Sequence, residues 1–263
     1  MEVSKYNEYG SWLERVFKLR SLPIAVKFYE KAADVPSEAV FPMRDMGKHM
    51  AQCQAFSYTR MKGITIAMTK EDQWCWNPLI GFGCVECVPG QPQFDEVCKY
   101  ISIPDPEKAA AFFEKFPRLP LNKYEAVVTA PLATCSFEPD VVMIYADAAK
   151  INHLIRCVKY ATGDYVRSIF DGIDSCIYCT VPSFLENEYR VTFPDPGDRE
   201  RARARDDEVI LTVPGPRMKE FMDSVEANDK GLGYNEKRFA IAVDYKLPDF
   251  YARLFRMWGL KDE

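Results

Sequence analysis

Apolar side chains recur along the chain with two different periods. Between residues 6 and 19 they are spaced three or four apart, which predicts an amphipathic helix that Pro23 ends. Short apolar runs predict strands at 24–29, 64–68, 126–130, 141–145, 167–170, 188–193, 209–213 and 239–243. Further helices are predicted at 45–60, 107–115, 147–160, 198–205, 216–227 and 249–258, whereas 74–90 reads as a glycine- and proline-rich loop or a short broken helix.

The order of these elements predicts the fold class. Strands and helices are mixed without the regular alternation of a doubly wound sheet, which favours an α+β fold with mixed sheets and flanking helices. The 263 residues are 48% hydrophobic and 28% charged, a composition that excludes disorder and can bury a sizeable core. We therefore expect a single domain over 1–263, with a strand and a helix over 238–260 at its C-terminal side.

A faint repeat divides this domain into halves 20–118 and 119–228. Each half begins with a proline-led apolar strand, followed by a helix, a cysteine, a second strand and a turn. If a pseudo-twofold axis relates the halves, it brings Cys53, Cys75 and Cys176 toward one site at their interface.

The net charge and the hydropathy of the chain disfavour two classes of partner, nucleic acids and membranes. The net charge of −5 disfavours nucleic acid and anionic membranes, and the longest apolar run, 141–144, is far shorter than the roughly 20 residues of a spanning helix. Residues 1–20 are polar and lack the apolar segment of a signal peptide, so we expect a cytoplasmic protein. Thiols stay reduced in that compartment.

The chain has nine cysteines but two histidines, which indicates metal binding, redox chemistry or plain core packing at the cysteines. Four of them form CxxC pairs, Cys84 with Cys87 and Cys176 with Cys179, a spacing that suits one metal or a redox disulfide. The first pair lies in the glycine-rich loop, where the backbone can adapt to a ligand. If the second pair lies on a strand, its thiols point to opposite faces and cannot share a metal. For Cys98, Cys135 and Cys157, packing in the hydrophobic core is the preferred interpretation.

Several short segments carry a family resemblance: 22–28, 53–55 with Arg60 and Gly63, Cys75 with 80–83, 139–142, 172–176, 197–199 and 207–209. In this order, over about residues 20–225, they resemble the DUF169 family, proteins of unassigned function in anaerobic bacteria and archaea. The resemblance implies an α+β fold and a cysteine-lined site that suits an iron–sulfur cluster. It implies no reaction.

A [4Fe–4S] cluster needs four protein ligands, and thiolates suit its iron. We expect Cys53, Cys75 and Cys176 as three of them, with Asp195 or a CxxC thiol as the fourth. Members of the family often carry a cysteine near the position of Asp195, so an oxygen ligand, another cysteine or an altered site takes its place here. An oxygen ligand would leave one iron exchangeable for a substrate. Zinc held by four thiolates is the main alternative.

Residues near these ligands suggest further roles. His49 precedes Cys53 by four positions on the predicted helix, so it is a candidate proton donor beside the cluster, although a solvent-facing role is preferred. Arg199 and Gly197 open a predicted helix and are candidates for binding an anion. Arg201, Arg203 and Arg205 fit a solvated face. The candidates for enclosing or stacking on the cofactor, which ordinary core packing explains equally well, are Trp74, Trp76, Gly81 and Phe82.

The sequence therefore predicts an iron–sulfur protein that acts as a redox or lyase-like enzyme on a small organic anion. The alternatives are a non-catalytic accessory or sensor protein that binds a metal or cofactor, and a structural zinc protein. Expected partners are the small-molecule ligand, a redox partner protein, and a second copy docking on the final helix, which is apolar on more than one side.

Overall fold

A single antiparallel sheet forms the centre of the protein. The computed structural model describes residues 2–232 and 249–259. The strands follow the spatial order β2-β3-β1-β4-β6-β5, and every pairing between them is antiparallel. Their bounds are β1 (Ile24–Tyr29), β2 (Ile66–Thr69), β3 (Ala126–Pro131), β4 (Val141–Asp147), β5 (Arg190–Thr192) and β6 (Glu208–Pro214). The predicted α+β class is confirmed, with one antiparallel sheet in place of several mixed ones.

Helices cover both faces of the sheet. They begin where the sequence supplies start signals: Asp105 accepts hydrogen bonds from the N–H groups of Glu107 and Lys108, and Asp147 accepts one from Lys150. The helices are α1 (Val3–Phe17), α2 (Gln52–Lys62), α3 (Trp76–Gly81), α4 (Pro92–Tyr100), α5 (Pro106–Phe113), α6 (Ala148–Thr162), α7 (Ser175–Tyr178), α8 (Val181–Glu186), α9 (Pro196–Ala202), α10 (Met218–Leu232) and α11 (Asp249–Met257). In the described part of the chain, none is long and apolar enough to cross a membrane.

Alternate strand residues supply two separate cores. Val26 and Met143 face a core shared with α3, α4, α5, α7 and α8, whereas Ala25 and Val142 face one shared with α1, α6 and α10. Because both faces are covered, the strands are apolar at successive positions, which is why they read as continuous runs in the sequence. Cys176 and Cys179 belong to the first core, and α2, which carries Cys53, places Phe56 in it.

The strand order is the same when read outward from the central β1–β4 pair. One half runs β1, β3, β2 and the other β4, β6, β5. In chain order, α2 lies between β1 and β2 and α3 follows β2, while α7 lies between β4 and β5 and α9 follows β5. This is the order that a pseudo-twofold axis between β1 and β4 requires, although a duplication itself stays a prediction.

Two predicted elements are wrong. The helix predicted over 45–60 begins at Gln52, because a tight turn ends at Gly47 in the left-handed region (φ 64°) and Met50 pairs with Gln73. The segment predicted as a strand over 167–170 is irregular. Its Ser168 Oγ accepts the hydrogen bond from the N–H of Val191 that a backbone carbonyl would accept between two paired strands. The pattern also missed α4, α7 and α8, and the strand predicted over 239–243 lies outside the described residues.

Candidate functional site

Four predicted ligands occupy the start of four helices. Cys53 lies in the first turn of α2, and Cys75 is the N-cap residue of α3. Cys176 lies in the first turn of α7, and Asp195 is the N-cap residue of α9. Each half of the chain thus supplies one residue from a first turn and one from an N-cap.

Cys53 and Cys75 are held together by contacts between the segments that precede them. Met50 and Gln73 form an isolated parallel bridge, and Gln73 Nε2 donates a hydrogen bond to Gln52 Oε1 at 2.9 Å. Both glutamines are buried. These contacts fix the start of α3 beside the start of α2, so Cys75 packs against the small buried cluster that contains Cys53.

Asp195 links α7 to α9. The backbone N–H and the hydroxyl of Ser175 both donate to Asp195 Oδ2 at 2.9 Å, and the N–H of Asp198 donates to Asp195 Oδ1 at 2.9 Å. Ser175 Oγ also lies 2.6 Å from Asp198 Oδ2. Asp195 is therefore both a helix cap and the anchor of the segment that carries Cys176.

Two contacts between helices join the halves. Ala202 of α9 packs against Ala51 and Cys53 at the start of α2. Gly81 of α3 lies so close to Ile177 of α7 that a Cβ on the glycine would be 2.5 Å from Ile177 Cδ1. The structure consequently brings Cys53, Cys75, Cys176 and Asp195 into one region.

The pKa values of the thiols in this region are shifted by burial and by the charges of the other candidate ligands. Burial raises the pKa of the Cys53 thiol, and the carboxylates of Asp198 and Asp195 raise it further. Burial likewise raises the pKa of Cys176 well above its ordinary value, followed by the effects of Asp195, Cys75 and Cys53. Without a cation, these thiols are protonated at neutral pH.

Two further carboxyl groups make the site acidic. Burial raises the pKa of Asp198 to about 7, and Asp195 adds to the shift. Burial and then Asp171 raise the pKa of Asp174 to about 9. Asp174 is 1% exposed, and its Oδ1 has no hydrogen-bond partner among the described residues. A bound cation would offset this excess of buried acids, so the donor set fits a metal cofactor.

The spacing of the donors bears on the kind of metal centre. Among the described residues, no group of three or more histidine, cysteine, aspartate or glutamate side chains is close enough to hold a metal ion. The irons of a [4Fe–4S] cubane occupy separate corners, and each thiolate binds a different iron, so its ligands are farther apart than those around one ion. As they stand, the described residues therefore form no site for a single metal ion.

The CxxC thiols lie in different surroundings. All nine cysteines are free thiols. Cys84 lines a cavity of about 320 Å³ together with Lys70 and Glu71, and burial raises its pKa to about 11. Cys87 is buried in the core beside Cys98. In the second pair, Cys176 lies in α7 and Cys179 is its C-cap residue, so the strand that would have put the two thiols on opposite faces is absent here. Cys179 is fully buried, and its thiol contacts the carbonyl oxygen of Cys176.

His49 and Arg199 do not have the settings of a proton donor and an anion-binding residue. His49 precedes α2, so the helical spacing to Cys53 is wrong, and its exposure agrees with the solvent-facing role that the sequence favoured. The Arg199 guanidinium donates to the carbonyl oxygen of Pro194 and lies 3.4 Å from Asp206. Gly197 is better placed, since a Cβ there would lie 3.0 Å from Asp195 Oδ1.

The predicted aromatic residues divide into two groups. Trp76 packs against Phe113 and Phe116, and Phe82 packs against Phe28, all within the core. Trp74 is 44% exposed, and its Nε1 lies 3.3 Å from Gln54 Oε1 beside Cys53. Trp74 alone among them lies at the surface of the candidate site.

Sequence reasoning missed four residues of the site. Ser175 and Asp198 bind Asp195, Asp174 lies near Cys75, and Arg201 reaches back toward both Cys75 and Gly197. A signal was present for Ser175 and Asp174, which directly precede Cys176. Nothing in the sequence separated Arg201 from the other arginines of its segment.

The fold and site together define an α+β protein in which three cysteines and an aspartate gather at the starts of helices. The family model of DUF169, described as uncharacterised ArCR, matches residues 12–224, and the chain belongs to that family. An uncharacterised protein of Methanocaldococcus jannaschii is 21% identical over 228 residues, which cover 86% of this chain and 96% of the relative. No solved structure matches the chain. The resemblance expected from the sequence is confirmed.

Gly81→Ala is expected to weaken the junction between α3 and α7. The new methyl group would lie 2.5 Å from Ile177 Cδ1 and 2.7 Å from its Cγ1, so the Ile177 side chain or the helices must shift, at a cost of about 1–3 kcal/mol. Urea denaturation measures the loss. The double variant Gly81→Ala/Ile177→Ala removes the overlap and should lose less than the sum of the two single variants. Simple additivity would contradict a direct contact.

Proposed function

We propose that the protein binds a [4Fe–4S] cluster through Cys53, Cys75, Cys176 and Asp195 and acts as a redox or lyase-like enzyme on a small organic anion. The observation that supports this most is the convergence of these four residues at the starts of α2, α3, α7 and α9. Residues 19 to 142 positions apart in the chain are brought together by packing between the segments that carry them.

The chemistry of the donors agrees with this assignment. Thiolate sulfur is a soft ligand that suits iron–sulfur centres, and carboxylate oxygen is a harder and more exchangeable one. A cluster held by these residues would supply electron transfer, and the exchangeable Asp195 ligand would let a substrate bind in its place. The chain itself supplies the acidic groups Asp174 and Asp198, which lie near the donors and are protonated to a large extent near neutral pH.

Burial of the donors favours a second candidate function. Cys53 and Cys176 are buried, and among the three cysteines Cys75 alone is half-exposed. A ligand must therefore enter beside Cys75. If that entrance admits no substrate, the same site suits a non-catalytic accessory protein that senses redox state or holds a cofactor.

Anaerobic purification, absorption spectroscopy and analysis of iron, sulfide and zinc test the proposal. We expect about four irons and four sulfides per chain, as a cubane requires. Cys53→Ser, Cys75→Ser and Cys176→Ser should each lose most of the visible absorption and iron. Cys157→Ser is the matched control, because Cys157 is fully buried in the core on the opposite face of the sheet.

Each outcome of these measurements is informative. Equal iron content in all four variants would contradict the ligand assignment. Stoichiometric zinc without sulfide would replace the cluster by a structural zinc site, and a protein without metal after anaerobic reconstitution would overturn the proposal. Circular dichroism of each variant separates loss of ligation from loss of fold.

A further inference from the structure

Arg201 is a cation placed at the exposed edge of the candidate site. It lies in the last turn of α9, and its guanidinium folds back so that Nη1 is 3.2 Å from where a Cβ on Gly197 would lie. Burial raises the pKa of the Cys75 thiol, and the positive charge of Arg201 lowers it in part. Arg201 therefore lies near the half-exposed thiol, on the side from which a ligand can enter.

The guanidinium is held by an aromatic ring and not by a carboxylate. Its Cζ lies 5.0 Å from the centroid of the Trp74 ring, a cation–π contact. No carboxylate among the described residues forms an ion pair with Arg201, whereas Arg199, two positions earlier, lies 3.4 Å from Asp206. A guanidinium has five N–H donors in a planar fork, and a ring contact leaves them available.

Trp74 ties this cation to the cysteines. The indole Nε1 lies 3.3 Å from Gln54 Oε1, and Gln54 also caps α2 by accepting a hydrogen bond from the N–H of Ala51 at 3.0 Å. Trp74 directly precedes Cys75, and Gln54 directly follows Cys53. The ring is thus held between the two segments that carry these thiols, and the cation that stacks on it is held there in turn.

We propose that Arg201 and Trp74 bind the carboxylate of a small organic anion at the entrance of the site, next to Cys75. This assignment rests on the proposed function for the reaction, but the binding step needs only the chain's own residues. The guanidinium fork matches a carboxylate in a bidentate geometry. A monocarboxylate is favoured over phosphate because it carries one negative charge, which the single positive charge of the Arg201 guanidinium neutralises.

Calorimetric titration of the full-length protein with acetate, lactate and pyruvate tests this proposal. We expect saturable binding that weakens about tenfold or more in Arg201→Gln, the effect of losing a charged hydrogen-bonding partner. Arg205→Gln removes the same charge from an exposed residue beyond α9 and should bind within about twofold of the unaltered protein. Arg199→Gln compares the two arginines directly and should also retain binding.

Three results would overturn the carboxylate site. They are an absence of saturable binding in the unaltered protein, equal binding in Arg201→Gln, and tighter binding of inorganic phosphate than of any carboxylate. The metal analysis is independent of this titration. Arg201-dependent binding in a protein without iron would leave the carboxylate site standing and remove the cluster, whereas an iron-loaded protein indifferent to Arg201 would do the opposite.

Discussion

Arg60→Met is expected to destabilise the protein by about 3–5 kcal/mol, because it leaves a buried carboxylate without its cation. Arg60 Nη1 lies 3.0 Å and 3.2 Å from the two carboxylate oxygens of Glu208, and the side chains are 2% and 3% exposed. The guanidinium also contacts Ser21 Oγ and lies 4.2 Å from the ring centroid of Tyr145. Urea denaturation of the metal-free protein measures the loss.

The chain provides a matched control for this variant. Arg20 pairs with Asp207, the neighbour of Glu208, at 2.6 Å, but these side chains are 41% and 52% exposed. Arg20→Met should therefore change the free energy of unfolding by less than about 1 kcal/mol. The double variant Arg60→Met/Glu208→Leu should recover much of the loss, since two apolar groups leave no buried charge. If Arg60→Met and Arg20→Met lower the free energy of unfolding by similar amounts, burial does not explain how the Arg60–Glu208 pair stabilises the protein.

This ion pair shows what a single sequence can and cannot predict. Arg60 and Glu208 both lie in segments that carry the family resemblance, yet they are 148 positions apart and nothing in either segment indicates the other. The apolar runs did predict all six strands and their burial, because a strand covered on both faces needs apolar side chains at successive positions of its own sequence. It could not predict that α2 begins at Gln52, since the bridge between Met50 and Gln73 depends on a distant segment.

The site was predictable in the same partial way. The expected axis relating the halves placed Cys53, Cys75 and Cys176 together, and the strand order about β1 and β4 agrees with it. The choice between Arg199 and Arg201 was not available from sequence. Residues two apart on a helix differ by about 200° in direction, so which one faces the cysteines depends on how α9 is rotated against α2.

If Asp195 ligates the proposed cluster, Asp195→Cys is expected to retain that cluster but to remove its exchangeable position. A thiolate binds iron more firmly than a carboxylate, so iron and sulfide content should stay at the level of the unaltered protein while turnover and substrate-dependent changes in the electron paramagnetic resonance spectrum disappear. Stability should fall by about 1–3 kcal/mol, because sulfur is a poorer acceptor for the N–H and hydroxyl of Ser175 and the N–H of Asp198.

Two comparisons separate ligation from capping. Asp206→Cys adds a thiol at a fully exposed side chain eleven positions later and should alter neither iron content nor the spectrum. Asp195→Asn keeps one acceptor oxygen but loses the negative charge, so it should cap α9 in part while lowering iron occupancy. If Asp195→Cys instead responds to substrate as the unaltered protein does, Asp195 is a cap and an anchor for Ser175 only, and the fourth ligand must be sought elsewhere. Cys179 would then be the next residue to test, because it is fully buried and the carboxylates of Asp198 and Asp195 contribute to its raised pKa after burial itself.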